Sequence, residues 1–430
     1  MQALLSFESS PPLAAPLRFF ASAPWFLVGA GLLLAWAGPD AFASRWMPAT
    51  LAATHLVTLG FMLQVMLGAL IQVLPVVAGA SLARPGLVAG VVQPALAGGA
   101  LLLAAAFLSG QSWLFAGATL LLLGAVVVFL GVAAAALSAV PGGNPTVSGI
   151  KFALAGLAGV ALLGGALALG LAGGWPLPYP ALTDLHAAWG LAAWAGVLLA
   201  ALAGVVVPMF QLTPPYPARF GRLFPALSIG LALAWSLALV ADWPGLAEAA
   251  RFGTGLAGMV FCGLTLRLQQ RRRRAKPDAT SRAWQMGMAA GFLACLMQST
   301  AALFPELPEA AGWTTGFGLL IGGAFVCCIV GMLYKILPFL CWLSLQHHGV
   351  VRPPSMNRLL DEPAMQRQLW AQAGALVLLF AAAWLPGLLA RPAGLAFAAA
   401  SAGLALNLSV AVRRYRENLP GAAFPDGRTA

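Results

Sequence analysis

Residues 49–79 read ATLAATHLVTLGFMLQVMLGALIQVLPVVAG, a run of 31 residues without a single Lys, Arg, Asp or Glu. A helix of about 20 apolar residues already crosses a bilayer. This run is therefore long enough to span a membrane with a tilt, or to project beyond it. It carries one histidine, His55, near its start and one proline, Pro75, near its end.

The rest of the 430-residue chain has the same character, with 61% hydrophobic and 8% charged residues. Soluble domains carry about 25% charged residues, so this composition excludes a soluble enzyme. Pro, Gly and charged residues separate twelve apolar blocks. We predict an all-α polytopic membrane protein, one transmembrane domain over residues 1–430 that contacts the lipid bilayer. The predicted spans are 18–38, 49–79, 85–109, 112–140, 149–173, 182–212, 222–241, 248–268, 283–304, 311–346, 368–389 and 391–412.

The net charge of +11 is concentrated in the segments between these blocks. With twelve spans, the basic loops after helices 6, 8 and 10 and the C-terminal tail share one side, which the positive-inside rule makes cytoplasmic. We therefore expect a basic cytoplasmic loop at 269–282, a cytoplasmic tail at 413–430 and both termini inside. The same clustering argues against nucleic acid as the partner. The loop at 269–282 contains the densest basic run: Arg271, Arg272, Arg273, Arg274 and Lys276.

Helices 2, 6 and 10 are longer than the others and end alike. Their prolines, Pro75, Pro208 and Pro338, stand 133 and then 130 residues apart. That spacing fits three pseudo-repeats of four helices, at about 18–140, 149–268 and 283–412. The alternative is coincidence, because Pro and Gly are common in membrane helices.

Two histidines lie inside the predicted spans, His55 in helix 2 and His186 in helix 6. Both helices run inward, so both imidazoles are expected toward the outer face at similar depth. Histidine within a membrane is costly and marks a functional site by default. Imidazole ligates haem iron and copper, and the small residues Gly60 and Gly190 are expected to provide a slot for a haem. The alternative is that each histidine bonds a helix carbonyl and only fixes packing.

Other polar residues near the inner end of helix 10 have competing interpretations. Tyr334 and Lys335 suggest a proton path or a pairing role, whereas a lysine near a helix end also snorkels to the headgroups. His347 and His348 either bind a metal or, as adjacent interfacial residues, cap the helix in solvent. Five cysteines fall in apolar stretches without CxxC spacing and are expected to be buried and unreactive: Cys262, Cys295, Cys327, Cys328 and Cys341.

Taken together, twelve helices in three repeats of four and an outer-side histidine in helix 2 resemble the haem–copper oxidase subunit I superfamily. His55, within THLVTLGF at 54–61, corresponds in helix and depth to that family's helix-2 ligand of the low-spin haem. His186 lies in the helix that supplies a copper ligand. The NnrS family of twelve-span haem- and copper-containing proteins is a second, more general likeness. Either resemblance implies a bacterial-type inner (cytoplasmic) membrane location.

The sequence also departs from the oxidase pattern. Residues 213–245 and 311–346 contain no histidine, although helices 7 and 10 of the oxidases supply ligands. An ordinary terminal oxidase is therefore excluded. The resemblance implies b-type haem, with copper as a further option, in electron transfer or in haem, copper or nitric oxide handling, with a cytochrome or similar redox partner. The competing hypotheses are a transporter or channel without a redox cofactor, and a structural subunit in which the histidines only pack.

Overall fold

The structure is a computed structural model that describes residues 10–141, 143–273 and 276–420. Arg274 of the basic loop and residues 421–430 of the tail lie outside these ranges. Over the described residues the chain is helical and contains no β-strand. Twelve long helices form the domain: α1 (Ala14–Ala37), α2 (Pro48–Ala78), α3 (Pro85–Ser109), α4 (Ser112–Ser138), α5 (Pro145–Gly173), α6 (Tyr179–Gln211), α7 (Ala218–Val240), α8 (Pro244–Gln270), α9 (Ala279–Leu303), α10 (Trp313–His347), α11 (Glu362–Ala382) and α12 (Pro386–Glu417).

Eleven of the helices in the described ranges are long and apolar enough to cross a membrane. The chain is therefore an all-α, multi-pass membrane protein, as its composition predicts. The twelfth, α11, is less apolar because its first half carries Glu362, Arg367 and three glutamines. The break between α11 and α12 falls at 383–385, several residues before the predicted break, because Pro386 occupies the first turn of α12.

The helices pack in chain order, each against the next, and α12 packs against α1, so that the bundle is closed. Two of the three long helices are the most enclosed: the most apolar stretch of α2 is 89% buried and that of α10 is 67% buried. Helix α10 also contacts the middle of α2. The long helices α2 and α10 thus form much of the interior of the domain.

Side-chain contacts distinguish the two ends of the bundle. At one end, here called the upper end, Arg45 in the α1–α2 loop pairs with Asp184 near the start of α6. At the opposite, lower end, Arg414 of α12 pairs with Asp361 at 3.0 Å, and Gln269 of α8 donates to Gln211 of α6 at 2.8 Å. The described part of the basic 269–282 loop lies at the lower end, where the backbone N–H of Arg273 bonds the carbonyl of Leu212.

Helices α2 and α6 share an internal irregularity. Each contains eight residues of π-helix, Leu56–Leu63 in α2 and Trp189–Gly196 in α6. Both π segments end 12 residues before the helix proline, Pro75 or Pro208. Helix α10 is α-helical over its whole length. A π segment turns the residues before it relative to those after it, and such segments are frequent at functional sites.

Two glycines allow α1 and α12 to meet at backbone distance. A Cβ atom on Gly31 would lie 2.6 Å from the backbone nitrogen of Ala398, and one on Gly394 would lie 2.5 Å from that of Ala35. We expect Gly31→Ala and Gly394→Ala each to lower the free energy of unfolding by about 1–3 kcal/mol, as overpacking does. Gly387→Ala in α12 is the control, because its Cβ would meet nothing within 4 Å. Thermal unfolding in detergent measures all three, and equal stabilities would refute the close approach.

Candidate functional site

His55 ends the first α-helical part of α2, directly before the π segment. Its Nδ1 lies 2.7 Å from the carbonyl oxygen of Leu51, one turn earlier in the helix. With Nδ1–H donating to this oxygen, Nε2 is the nitrogen with a free lone pair. Metal-binding histidines usually have this arrangement, since the bond to the second nitrogen holds the ring in one orientation.

His186 lies three residues before the π segment of α6. Its Nδ1 is buried and has no hydrogen-bond partner among the described residues. The backbone of Val160 in α5 interacts with the ring, and Gly164 faces it one turn further along. A Cβ atom on Gly164 would lie 2.9 Å from Cε1 of His186, so the missing side chain makes room for the imidazole.

The structure brings the two histidines together. Their ring centroids are 6.4 Å apart and their planes are inclined by 21°. Each histidine stands seven residues after the first residue of its helix, Pro48 or Tyr179, so the two lie at equal depth, about 10 Å below the upper end. Counted from the helix prolines the two positions differ by two residues, yet the rings still meet. Both are half-buried.

Aromatic side chains from α3 and α4 enclose the His55 side of the pair. The ring of Phe107 lies 5.1 Å from that of His55, and Phe115 meets Phe107 edge-on at 5.4 Å. Helices α2, α3, α5 and α6 therefore surround the two imidazoles directly, and α4 adds Phe115 behind Phe107. These surroundings are apolar.

The two glycines expected to open a slot beside the histidines have other neighbours. Gly60 faces α1, where a Cβ atom would lie 2.3 Å from Cδ1 of Phe26. Gly190 faces α5, where a Cβ atom would lie 3.1 Å from Cγ2 of Val160. The Phe26 side chain thus occupies the space beside Gly60, and both glycines permit close packing between helices.

The donor set limits what the pair can hold. The described residues contain no group of three or more His, Cys, Asp and Glu side chains arranged to bind a metal ion. Structural zinc needs four ligands, whereas haem iron takes four nitrogens from the porphyrin and needs only axial ligands from the protein. A metal about 2.0–2.1 Å from one nitrogen of each ring separates the centroids by about 6.3–6.5 Å, and the separation found is 6.4 Å. The centroid separation is therefore that of two imidazoles that share one metal.

Lys335 and Tyr334 lie elsewhere, in the lower half of α10. Twenty-two residues separate Lys335 from the start of α10, which places it about 33 Å below the upper end. Its Nζ donates to Asp278 at 2.8 Å, so it has a pairing role. The hydroxyl of Tyr334 donates to Gln368 at 2.7 Å and accepts from Asn407 at 3.0 Å. These bonds link α10 to α11 and α12 and do not reach the histidine pair.

The remaining candidates lie outside the site. His347 and His348 are exposed at the lower end, and Nδ1 of His348 lies 2.7 Å from the carbonyl of Ser344. All five cysteines are free thiols, four of them buried and Cys295 partly so. Sequence reasoning missed Gln368 and Asn407, although three glutamines in one otherwise apolar helix were a signal for a buried polar network.

No family model matches the chain, and none of the curated proteins matches it in sequence.

Proposed function

We propose that this protein is an integral membrane haem-binding protein in which His55 and His186 would hold a b-type haem. Its role would be electron transfer, or the handling of haem, copper or nitric oxide, on a scaffold like that of haem–copper oxidase subunit I. The observation that carries the proposal is the pair of imidazoles, 6.4 Å apart at equal depth on two interrupted helices.

Three features of the chain support this role. The Leu51 carbonyl fixes the His55 ring through Nδ1, and the buried Nδ1 of His186 has no hydrogen-bond partner within the described ranges. Phe107 excludes water from one side, which favours an apolar macrocycle over a hydrated ion. A bound haem would supply one-electron chemistry; the protein residues would hold and orient it.

Oxygen reduction of the ordinary terminal-oxidase kind is not part of the proposal. That chemistry needs further histidines, and the chain has only four. Two of them, His347 and His348, lie at the lower end of α10, about 40 Å along the helix axis from the depth of His55. Copper is the second candidate cofactor, because imidazole also suits copper.

The test is cofactor content after expression with sufficient haem. Purified protein should show a Soret band, and a pyridine haemochrome assay should identify haem b. His55→Ala and His186→Ala should each lower haem content about tenfold or more, since even weaker changes around metal ligands cost 10–100-fold in affinity. His348→Ala is the matched control and should leave the spectrum unchanged.

Elemental analysis separates the outcomes. Copper without iron, lost in both histidine variants, would assign copper to the pair and rule out haem. Absence of both metals in protein from haem- and copper-sufficient cells would refute the redox proposal. Substrate uptake that survives loss of both histidines would then favour the transporter alternative.

A further inference from the structure

A second site lies on the opposite side of α6 from the histidine pair. Helices α6 to α10 and the α1–α2 loop enclose a cavity of about 550 Å³ near the upper end. Along α10 it extends from Trp313 to Phe325, a depth of about 18 Å. Its volume is in the range of pockets that bind small molecules. On α6 the lining residues include Ala188 and Leu191, whereas His186 faces α5 and α2.

The deeper walls of the cavity are apolar and rich in aromatic rings. Phe224 of α7 and Phe261 of α8 lie there with ring centroids 5.6 Å apart, and Met288 of α9 faces the same space. Trp235 and Trp313 add two large rings nearer the upper end. Such walls suit a flat, lipid-soluble molecule better than a hydrated ion.

The charged groups and the amide of Gln298 lie in the upper part of the cavity. Arg251 of α8 lies over the ring of Trp235 at 5.6 Å and donates from Nη1 to Glu248 at 2.9 Å. Its Nε is buried and has no hydrogen-bond partner among the described residues. The side chain of Gln298, on α9, also lines the cavity. The guanidinium of Arg251 and the side-chain amide of Gln298 therefore supply hydrogen-bond donors at this level of the cavity.

The charged residues that line the cavity carry no net charge. Two are basic, Arg45 and Arg251, and two are acidic, Asp184 and Glu309. A site for a strongly anionic headgroup would have an excess of positive charge. The balance, together with free donors, favours a neutral ligand that accepts hydrogen bonds.

We propose that this cavity binds a neutral, lipid-soluble ring compound with carbonyl oxygens, the chemistry of a quinone headgroup. Its oxygens accept hydrogen bonds from Arg251 and Gln298, and its ring lies among Trp235 and the deeper aromatic walls. The binding requires no cofactor at the histidine pair, because α6 separates the two sites.

Titration with ubiquinone-1 tests the proposal, read out as quenching of tryptophan fluorescence in protein reconstituted into nanodiscs. Wild-type protein should show saturable quenching with about one site per chain. Ala301→Trp, which fills the cavity, and Gln298→Leu should each weaken binding about tenfold. Arg251→Gln combined with Glu248→Gln removes the charged pair together and should do the same. Arg391→Gln, at the same end but outside the cavity lining, should bind as wild type.

Further measurements distinguish a quinone from other possible occupants of the cavity. A His55→Ala/His186→Ala double variant should bind ubiquinone-1 unchanged, so that failure of the haem proposal leaves this one intact. Quenching that is linear, or equal in wild type and Ala301→Trp, would overturn the cavity site. Saturable binding of decanoate but not of ubiquinone-1 would show a site for a lipid carboxylate instead. A Soret band lost in Ala301→Trp but kept in the double histidine variant would place haem in the cavity. That result would also overturn the proposal of a quinone site.

Discussion

Asp278→Ala should lower the free energy of unfolding by about 3–5 kcal/mol, the cost of leaving one partner of a buried ion pair alone. Asp278 is 6% exposed, pairs with Lys335 of α10 at 2.8 Å, and accepts from the backbone N–H of Ser281 at 2.9 Å. It thereby caps α9 and fastens it to α10. Denaturant titration of the purified protein in detergent measures the loss.

Two further variants separate the contribution of the helix N-cap to stability from that of the ion pair. Asp278→Asn keeps a good N-cap, so the difference between it and Asp278→Ala should be about 1 kcal/mol. Asp278→Asn combined with Lys335→Met removes both charges of this pair and should recover most of the stability, because an apolar replacement of a buried pair is often neutral. A double variant as unstable as Asp278→Asn alone would contradict an energetic coupling between these two residues.

The same ion pair predicts a pH dependence. Burial raises the pKa of Asp278, but the hydrogen bonds from Lys335 and Ser281 outweigh it and hold the pKa below its ordinary value. A carboxyl group with a lowered folded-state pKa stabilises the protein above its unfolded pKa of about 4. That stabilisation is lost as the pH falls through the lower, folded-state pKa. The stability difference between wild type and Asp278→Asn should therefore shrink below about pH 4; a constant difference would contradict the assignment.

Gly156→Ala should separate α5 from the π segment of α6. A Cβ atom at position 156 would lie 2.3 Å from the carbonyl oxygen of Ala193 and 2.8 Å from the backbone nitrogen of Trp194. Backbone atoms cannot move aside as a flexible side chain can, so the helices must shift, at a cost of about 1–3 kcal/mol or more. Gly164, which makes room for His186, lies eight residues further along α5, about 12 Å away, and moves with it.

Haem content provides the functional measurement for this variant. If the histidine pair binds haem, Gly156→Ala should lose much of the Soret absorbance although it changes no ligand. Gly204→Ala in α6 is the matched control, since its Cβ would meet nothing within 4 Å. Wild-type stability and haem content in Gly156→Ala would show that α5 does not hold the ring of His186 in place.

Much of the fold was predictable because it depends on local properties of the chain. The apolar run of 49–79 predicts α2 to within one residue at each end, and most other helices begin or end within four residues of their predicted positions. The start of α11 was less predictable, because its glutamines made the first turns look like a loop. In the structure, Gln368 bonds Tyr334 across the helix interface, which satisfies a polar side chain that a sequence pattern counts as solvent-exposed.

The candidate site was predictable only in part. Placing a histidine inside an apolar membrane segment costs free energy, so such a residue indicates a functional role. This reasoning selects His55 and His186 without any structure. Their proximity could not be deduced in this way. Counting from Pro75 and Pro208 leaves the two histidines half a helical turn out of phase, and periodicity alone cannot reveal a π segment.

The sequence alone is sufficient to assign a multi-pass helical membrane protein, because an apolar run must be long enough to match the thickness of the bilayer. Only the tertiary structure decides which polar groups meet. The two imidazoles, the ion pair of Asp278 with Lys335 and the cavity beneath Arg251 each join residues from different helices. The distances between these residues depend on how closely glycines such as Gly156 let neighbouring helices pack. Close packing is a property of two helices together and cannot be deduced from either segment alone.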